Sequence, residues 1–88
     1  MGQEKSYSVT ISAVQCKMAR AALGLGVREL AADAKISPNT VTRFERGDEL
    51  KASTVATIRK ALEDAGVEFI PENGGGAGVR LAKKALGG

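Results

Sequence analysis

The clearest structural signal in the chain comes from residues 37–47, which read Ser-Pro-Asn-Thr-Val-Thr-Arg-Phe-Glu-Arg-Gly. Ser37 has a side chain that caps helix N-termini, and Pro38 suits the first helical position, where no amide donor is needed. Gly47 is of the residue type that most often follows a helix C-terminus. The stretch therefore predicts a short helix that begins after Ser37 and ends before Gly47.

This predicted helix has two faces of different chemistry. Val41 and Phe44 lie three residues apart and form an apolar face, and Glu45 lies beside it. The opposite face has no carboxylate, and its residues at positions i, i+3, i+4 and i+7 are Asn39, Thr42, Arg43 and Arg46. Amide, hydroxyl and guanidinium groups of this kind hydrogen-bond to base edges and phosphates in the major groove of DNA. An ordinary solvated face is the alternative.

The preceding residues favour the DNA interpretation. Residues 27–34 predict another short helix, with Leu30, Ala31 and Ala34 on one face. Only two residues separate this helix from the Ser37 cap, so the two helices must cross steeply, and the small side chain of Ala31 allows a close approach. This is the geometry of a helix-turn-helix, in which the second helix enters the groove and the first lies across the DNA backbone.

Several short motifs in this part of the chain occur together in a known family. They are Arg20-Ala-Ala-Leu-Gly-Leu25, Leu30-Ala31, Ile36-Ser37, Thr40-Val41 and Phe44-Glu-Arg-Gly47. With this spacing, residues 12–66 resemble the Cro/C1-type (XRE-like) helix-turn-helix regulators. The resemblance implies an all-α, lambda-repressor-like bundle of four to five short helices that binds operator DNA, usually as a dimer.

The resemblance also implies which residues contact DNA. From their chemistry, we expect Arg43 on a guanine, Asn39 on an adenine or a phosphate, and Thr42 on a thymine methyl or a backbone oxygen. Lys51 lies in the loop with which the family contacts the DNA backbone, and a solvated lysine is the alternative. The complete set of expected DNA-binding residues is Ser37, Pro38, Asn39, Thr40, Thr42, Arg43, Arg46 and Lys51.

Many members of the family pair an arginine of helix 1, the helix before residues 27–34, with a glutamate near the end of the recognition helix, which is the helix predicted after Ser37 here. The corresponding residues here are Arg20 and Glu45, and the resemblance therefore implies a structural ion pair between them. Two unrelated surface charges are the alternative. Such a pair would hold the recognition helix against helix 1.

Two positions depart from the family pattern. Lys35 stands in the turn where the family usually has glycine, and a left-handed backbone would be mildly strained there, so we expect a less regular turn. Gly26 and Val27 replace the polar residue that often begins the first helix of the motif. Its side-chain contact to a phosphate is therefore lost, and only backbone N–H groups remain for that role.

Composition excludes several classes of function. The chain has 88 residues, enough for one small domain, and its net charge of +3 permits a polyanionic partner without requiring one. Because Cys16 is the only cysteine and histidine is absent, we expect no internal disulfide, no metal site and no cofactor. We also expect no enzyme activity, since the commonest general base is missing and the glycine-rich run at 74–78 lacks the ending of a P-loop.

The sequence also predicts where the protein is found and how it is organised. No apolar run is long enough to cross a membrane and no signal peptide is recognisable, so we expect a cytoplasmic protein without membrane contact. Four segments follow along the chain: 1–11, an N-terminal arm or short strand; 12–66, the helix-turn-helix domain; 67–82, a C-terminal β extension; and 83–88, a flexible tail.

Local signals predict the first and last helices of the domain. Ser12 and Gln15 form a capping box that opens helix 1, and Ser53 is expected to cap a fourth helix over residues 54–65. The apolar positions of helix 1 are Val14, Cys16, Met18, Ala19 and Leu23.

The β extension is expected to form a short ribbon. Strands are predicted at residues 67–70 and 79–81, but a two-stranded ribbon alone is only marginally stable in water. We therefore expect Val67, Phe69 and Ile70 to support a dimer. The alternative is a ribbon that folds onto its own helix 4 or onto residues 7–11.

Two functions from different classes remain. The preferred one is a sequence-specific DNA-binding transcriptional regulator, a repressor that occupies a pseudo-palindromic site on double-stranded DNA as a homodimer. The alternative is an antitoxin-type or other interaction module that binds a partner protein and autoregulates its promoter.

Overall fold

The computed structural model describes residues 10–82, which form four helices and a C-terminal hairpin. The elements in chain order are α1 (Ala13–Leu23), α2 (Val27–Ala34), α3 (Pro38–Arg46), α4 (Ala52–Ala65), β1 (Val67–Ile70) and β2 (Gly78–Leu81). The predicted helical bundle with a short β-ribbon is therefore confirmed. Of the N-terminal arm or short strand expected at residues 1–11, only residues 10 and 11 are described, and they are not in a strand. The tail expected at 83–88 lies outside the described residues.

Local caps set most helix boundaries. At the start of α1, the Ser12 hydroxyl accepts a hydrogen bond from the Gln15 backbone N–H (3.1 Å), and the Gln15 side chain accepts one from the Ser12 N–H (3.0 Å). Ser37 caps α3 by accepting from the Thr40 N–H (3.2 Å), and Gly47 ends that helix in a left-handed conformation. Both predicted starts are confirmed.

Two details of the sequence interpretation are wrong. Helix α4 begins at Ala52 after Lys51, which makes no side-chain capping bond, so Ser53 lies inside the first turn instead of capping it. On α1, Val14 and Met18 are exposed, because Gln15, which belongs to the capping box, shares the buried face with Cys16 and Ala19.

The core lies where the helices cross. Leu30, Val41, Ile58 and Leu62 are fully buried and come from three different helices. Ala31 is also buried, as expected for the crossing of α2 and α3. This packing fixes α3 by its apolar face and leaves the opposite face exposed.

The turn between α2 and α3 is regular, contrary to our expectation. Lys35 adopts a left-handed conformation (φ 59°), and its N–H donates to Ala32 O (3.2 Å). The Ile36 N–H donates to Ala31 O (3.0 Å). These two hydrogen bonds form the helix C-terminal motif that usually has glycine in the left-handed position, and Lys35 takes that position here. The family's turn geometry is therefore kept, at the expense of backbone strain in Lys35.

Relief of this strain should stabilise the protein. We expect Lys35→Gly to raise the free energy of unfolding by about 0.5–1 kcal/mol, since glycine adopts the left-handed conformation without a steric penalty. Ala32→Gly, three residues earlier on an exposed helical position, is the matched control and should lower it by about 0.5–1 kcal/mol. Urea unfolding followed by circular dichroism measures both, and a destabilised Lys35→Gly variant would contradict the strain.

The hairpin packs against the helices of its own chain. Strand β1 pairs antiparallel with β2, from Val67 opposite Leu81 to Ile70 opposite Gly78. The Gln15 side-chain amide donates to Ile70 O (3.3 Å) and to Gly78 O (3.1 Å), so one residue of α1 holds both strands. Val67 is buried in the core formed with α4. The hairpin therefore folds onto α4 of its own chain, which was the alternative to a hairpin that supports a dimer.

Candidate nucleic-acid interface

The exposed face of α3 is the centre of the candidate interface. Asn39 and Thr42 are exposed, and the side chains of Arg43 and Arg46 are 43% and 63% exposed. The opposite face buries Val41, Phe44 and Glu45. The polar stripe predicted from the sequence therefore points to solvent.

The remaining expected contact residues surround this stripe. Ser37 and Pro38 are exposed at the N-terminus of α3, and the hydroxyls of Ser37 and Thr40 are hydrogen-bonded to each other (3.0 Å). Lys51 is exposed and lines, together with Thr40, Arg43 and the exposed acidic Glu49, a shallow depression of about 340 Å³. The structure thus brings Lys51, from the loop after α3, next to residues of α3.

A partly buried ion pair holds α3 against α1. Arg20 Nε and Nη2 donate to the two carboxylate oxygens of Glu45 at 2.7 and 2.8 Å, and Arg20 Nη1 also donates to Leu25 O (3.1 Å). The Glu45 side chain is 8% exposed and that of Arg20 is 23% exposed. The bidentate geometry fixes the end of α3 relative to α1 and therefore fixes the direction in which the polar stripe points.

Cys16 completes this cluster. Its S–H donates to Glu45 Oε2 (3.1 Å). Burial raises the pKa of the Cys16 thiol, and the neighbouring Glu45 carboxylate raises it further, so the thiol stays protonated. Burial also opposes ionisation of Glu45, but the hydrogen bonds from Arg20 and Cys16 outweigh it, and the pKa of Glu45 is lowered. The cluster therefore holds one carboxylate, one guanidinium and a neutral thiol.

Asp48 adds a carboxylate to a stripe that we expected to have none. Its Oδ2 accepts from Arg46 Nη2 (2.7 Å) and from Arg43 Nε (3.4 Å). The hydrogen bond from Arg46 lowers the pKa of Asp48, and the same contact raises the pKa of Arg46. The two arginines of the candidate interface therefore share the charge of the Asp48 carboxylate, and Glu49 adds a second carboxylate to the depression that Arg43 lines.

Comparison with known proteins agrees with this geometry. The sequence model of a helix-turn-helix family, HTH_3, matches residues 17–68, which run from within α1 into β1 and include the whole of α2 and α3. The chain belongs to the Cro/C1-type (XRE-like) helix-turn-helix family. No curated protein sequence matches the chain.

Membership of the helix-turn-helix family gives the chain a general function, that of a DNA-binding transcription regulator. Among residues 10–82, no helix has the length and apolar character needed to span a membrane. The family also explains why α3 is short, amphipathic and capped at both ends. A recognition helix must be held by one face while the other remains free for the groove.

The helix-turn-helix of this chain has its own arrangement at the start of α2. The Gly26 N–H donates to Glu29 Oε1 (2.6 Å), so one of the backbone donors that we expected to be open to a phosphate is already bound to a carboxylate. Glu29 therefore caps α2 and places a negative charge at its N-terminus.

Two residues of this domain, Gln15 and Asp48, make contacts that the sequence does not predict. The sequence predicts Gln15 as part of a capping box. Its hydrogen bonds to the hairpin reach residues that lie 55 and 63 positions further along the chain, and no local pattern indicates these bonds. Asp48 follows the predicted helix in the sequence, and no contact with the arginines is predicted for it. The signal available for it was Gly47, because a left-handed glycine after a helix turns the chain back toward the last helical turn.

Proposed function

We propose that the protein is a sequence-specific, cytoplasmic repressor that binds a pseudo-palindromic DNA site as a homodimer, with α3 in the major groove. One observation carries the proposal: Asn39, Thr42 and Arg43 are turned outward together on a helix whose other face is buried. Arg43 suits a guanine and Asn39 an adenine, while Arg46 and Lys51 suit phosphates on either side.

Selection of bound sites from a pool of random DNA duplexes tests this proposal. We expect enrichment of two inverted half-sites whose centres are about 10 base pairs, or about 34 Å, apart, because two recognition helices of a dimer enter successive major grooves. Each half-site should contain a guanine that the Arg43→Ala protein no longer selects. A pool that shows no enriched sequence after several rounds would contradict the proposal.

The dimer is a separate part of the proposal. Val67 is buried in its own core and Phe69 packs against that core, but Phe69 and Ile70 are only half-buried on β1 and are therefore the residues expected at the interface. The Arg59 guanidinium lies 5.9 Å from the centre of the Phe69 ring and covers part of it. The proposed interface therefore lies on the β1 side of the hairpin.

Sedimentation velocity tests the proposed interface. Phe69→Ala should shift a wild-type dimer toward monomer, because the largest apolar side chain of the interface is lost. Leu81→Ala, which removes an exposed apolar side chain from β2, is the matched control and should leave the dimer unchanged. A dimer that persists in Phe69→Ala with native circular dichroism would place the interface elsewhere.

A further inference from the structure

The two arginines of the candidate interface share one acidic partner. Asp48 Oδ2 lies 2.7 Å from Arg46 Nη2 and 3.4 Å from Arg43 Nε. We propose that Asp48 determines sequence specificity by weakening contacts to the DNA backbone more than contacts to the correct bases. The inference rests on the proposed function, since it assigns a role to a residue beside the same α3 surface.

The backbone holds Asp48 in this position. Gly47 has a left-handed conformation (φ 105°), and its N–H donates to Phe44 O (3.0 Å). The Asp48 N–H then donates to Arg43 O (3.0 Å), which brings residue 48 back over the last turn of α3. The carboxylate therefore stands beside the arginines because of a backbone turn, and not through the chance conformation of a long side chain.

Asp48 disfavours the binding of phosphates to the arginines more than the binding of guanine. A phosphate that binds Arg46 must displace the carboxylate or remain close to it, and both cost free energy because the two groups carry like charges. A guanine edge is neutral and presents O6 and N7 to two terminal guanidinium nitrogens. Arg43 contacts Asp48 through Nε, so its terminal nitrogens can meet a guanine while that contact is kept.

The other surface ion pairs of the described residues are one-to-one, including that of Arg80 with Glu68 (2.8 Å) across the hairpin. Lys60 pairs with Asp64 (3.3 Å) and Arg59 with Glu63 (2.8 Å) along α4, away from the α3 stripe. Each is a one-to-one pair at i and i+4, the usual arrangement on a helix surface. Asp48, in contrast, accepts from two residues, both of which are expected to contact DNA. Asp64 therefore provides a control of equal charge change.

The experiment compares Asp48→Asn, Asp64→Asn and wild type by fluorescence anisotropy. Each protein is titrated with the selected operator and with a scrambled duplex of the same length, at several salt concentrations. Asp48→Asn should bind the scrambled duplex about three- to tenfold more tightly at about 0.1 M salt and the operator by a smaller factor. The ratio of the two affinities should fall, whereas Asp64→Asn should keep the wild-type ratio.

The outcomes separate this inference from the proposed function. If wild type prefers the operator but Asp48→Asn keeps the same affinity ratio, the role of Asp48 is wrong and the proposed function stands. Equal tightening by Asp48→Asn and Asp64→Asn would also overturn it, because net charge alone would then explain the effect. A wild type without any preference between the duplexes would overturn the proposed function and this inference together.

Discussion

Glu45→Gln should lower the free energy of unfolding by about 2–4 kcal/mol at pH 7. The substitution replaces a carboxylate that is 8% exposed and leaves the Arg20 guanidinium without its bidentate partner. Removal of one member of a buried ion pair typically costs about 3–5 kcal/mol, and the partial exposure of Arg20 reduces that cost. Urea unfolding followed by circular dichroism measures the difference.

The same residue should contribute to the acid sensitivity of the protein. Because the pKa of Glu45 is lowered in the folded state, its stabilising contribution is complete above the unfolded value, about 4.3. It is lost as the pH falls through the folded value. Wild type should therefore lose stability relative to Glu45→Gln as the pH falls below about 4.3, and the difference in stability between the two proteins should shrink there.

A surface glutamate provides the control. Glu63 receives a hydrogen bond of 2.8 Å from Arg59, but its side chain is 38% exposed, and such pairs contribute at most about 1 kcal/mol. Glu63→Gln should therefore change the stability much less than Glu45→Gln. Equal effects of the two substitutions would show that the Arg20–Glu45 pair does not fix α3 against α1.

Local signals in the sequence predicted most of the helix ends, because caps act within four residues, whereas the bundle itself was implied by the family resemblance. Ser12 with Gln15, and Ser37 with Gly47, mark helix ends that the structure places at the predicted residues. The start of α4 was missed because Lys51 makes no side-chain capping bond and therefore leaves no pattern to recognise. Helix ends without a side-chain cap depend on tertiary packing, which a single sequence does not display.

Most of the candidate site was also predicted, apart from the contact of Asp48 with the two arginines. The stripe on α3 follows from helical periodicity, and the partners Arg20 and Glu45 were inferred from family resemblance, since no local rule links positions 25 residues apart. The contact of Asp48 with the arginines depends on the backbone direction after Gly47. Sequence periodicity predicts on which face of a helix a side chain lies. It does not predict where the side chain of the residue after the helix points.

Arg43→Ala should weaken binding to the selected operator by about 1–3 kcal/mol, or about 5- to 150-fold, with little change on a scrambled duplex. The reason is that a guanidinium bound to guanine O6 and N7 discriminates between bases, whereas a phosphate contact does not. Arg46→Ala should weaken both duplexes by a similar factor and reduce the salt dependence of binding by about one phosphate contact. Although both arginines contact the Asp48 carboxylate, the loss of Arg43 should thus reduce the preference for the operator, whereas the loss of Arg46 should leave that preference unchanged.

Arg43→Lys separates the shape of the guanidinium from its charge. Lysine keeps the positive charge beside Asp48 but has no planar pair of donors, so it should retain the affinity for a scrambled duplex and lose most of the preference for the operator. Fluorescence anisotropy of the variants on both duplexes gives the affinities, and the melting temperature of each shows whether it is folded. If Arg43→Lys kept the full operator preference, Arg43 would act through its charge alone, and the bases would be read by other residues of α3.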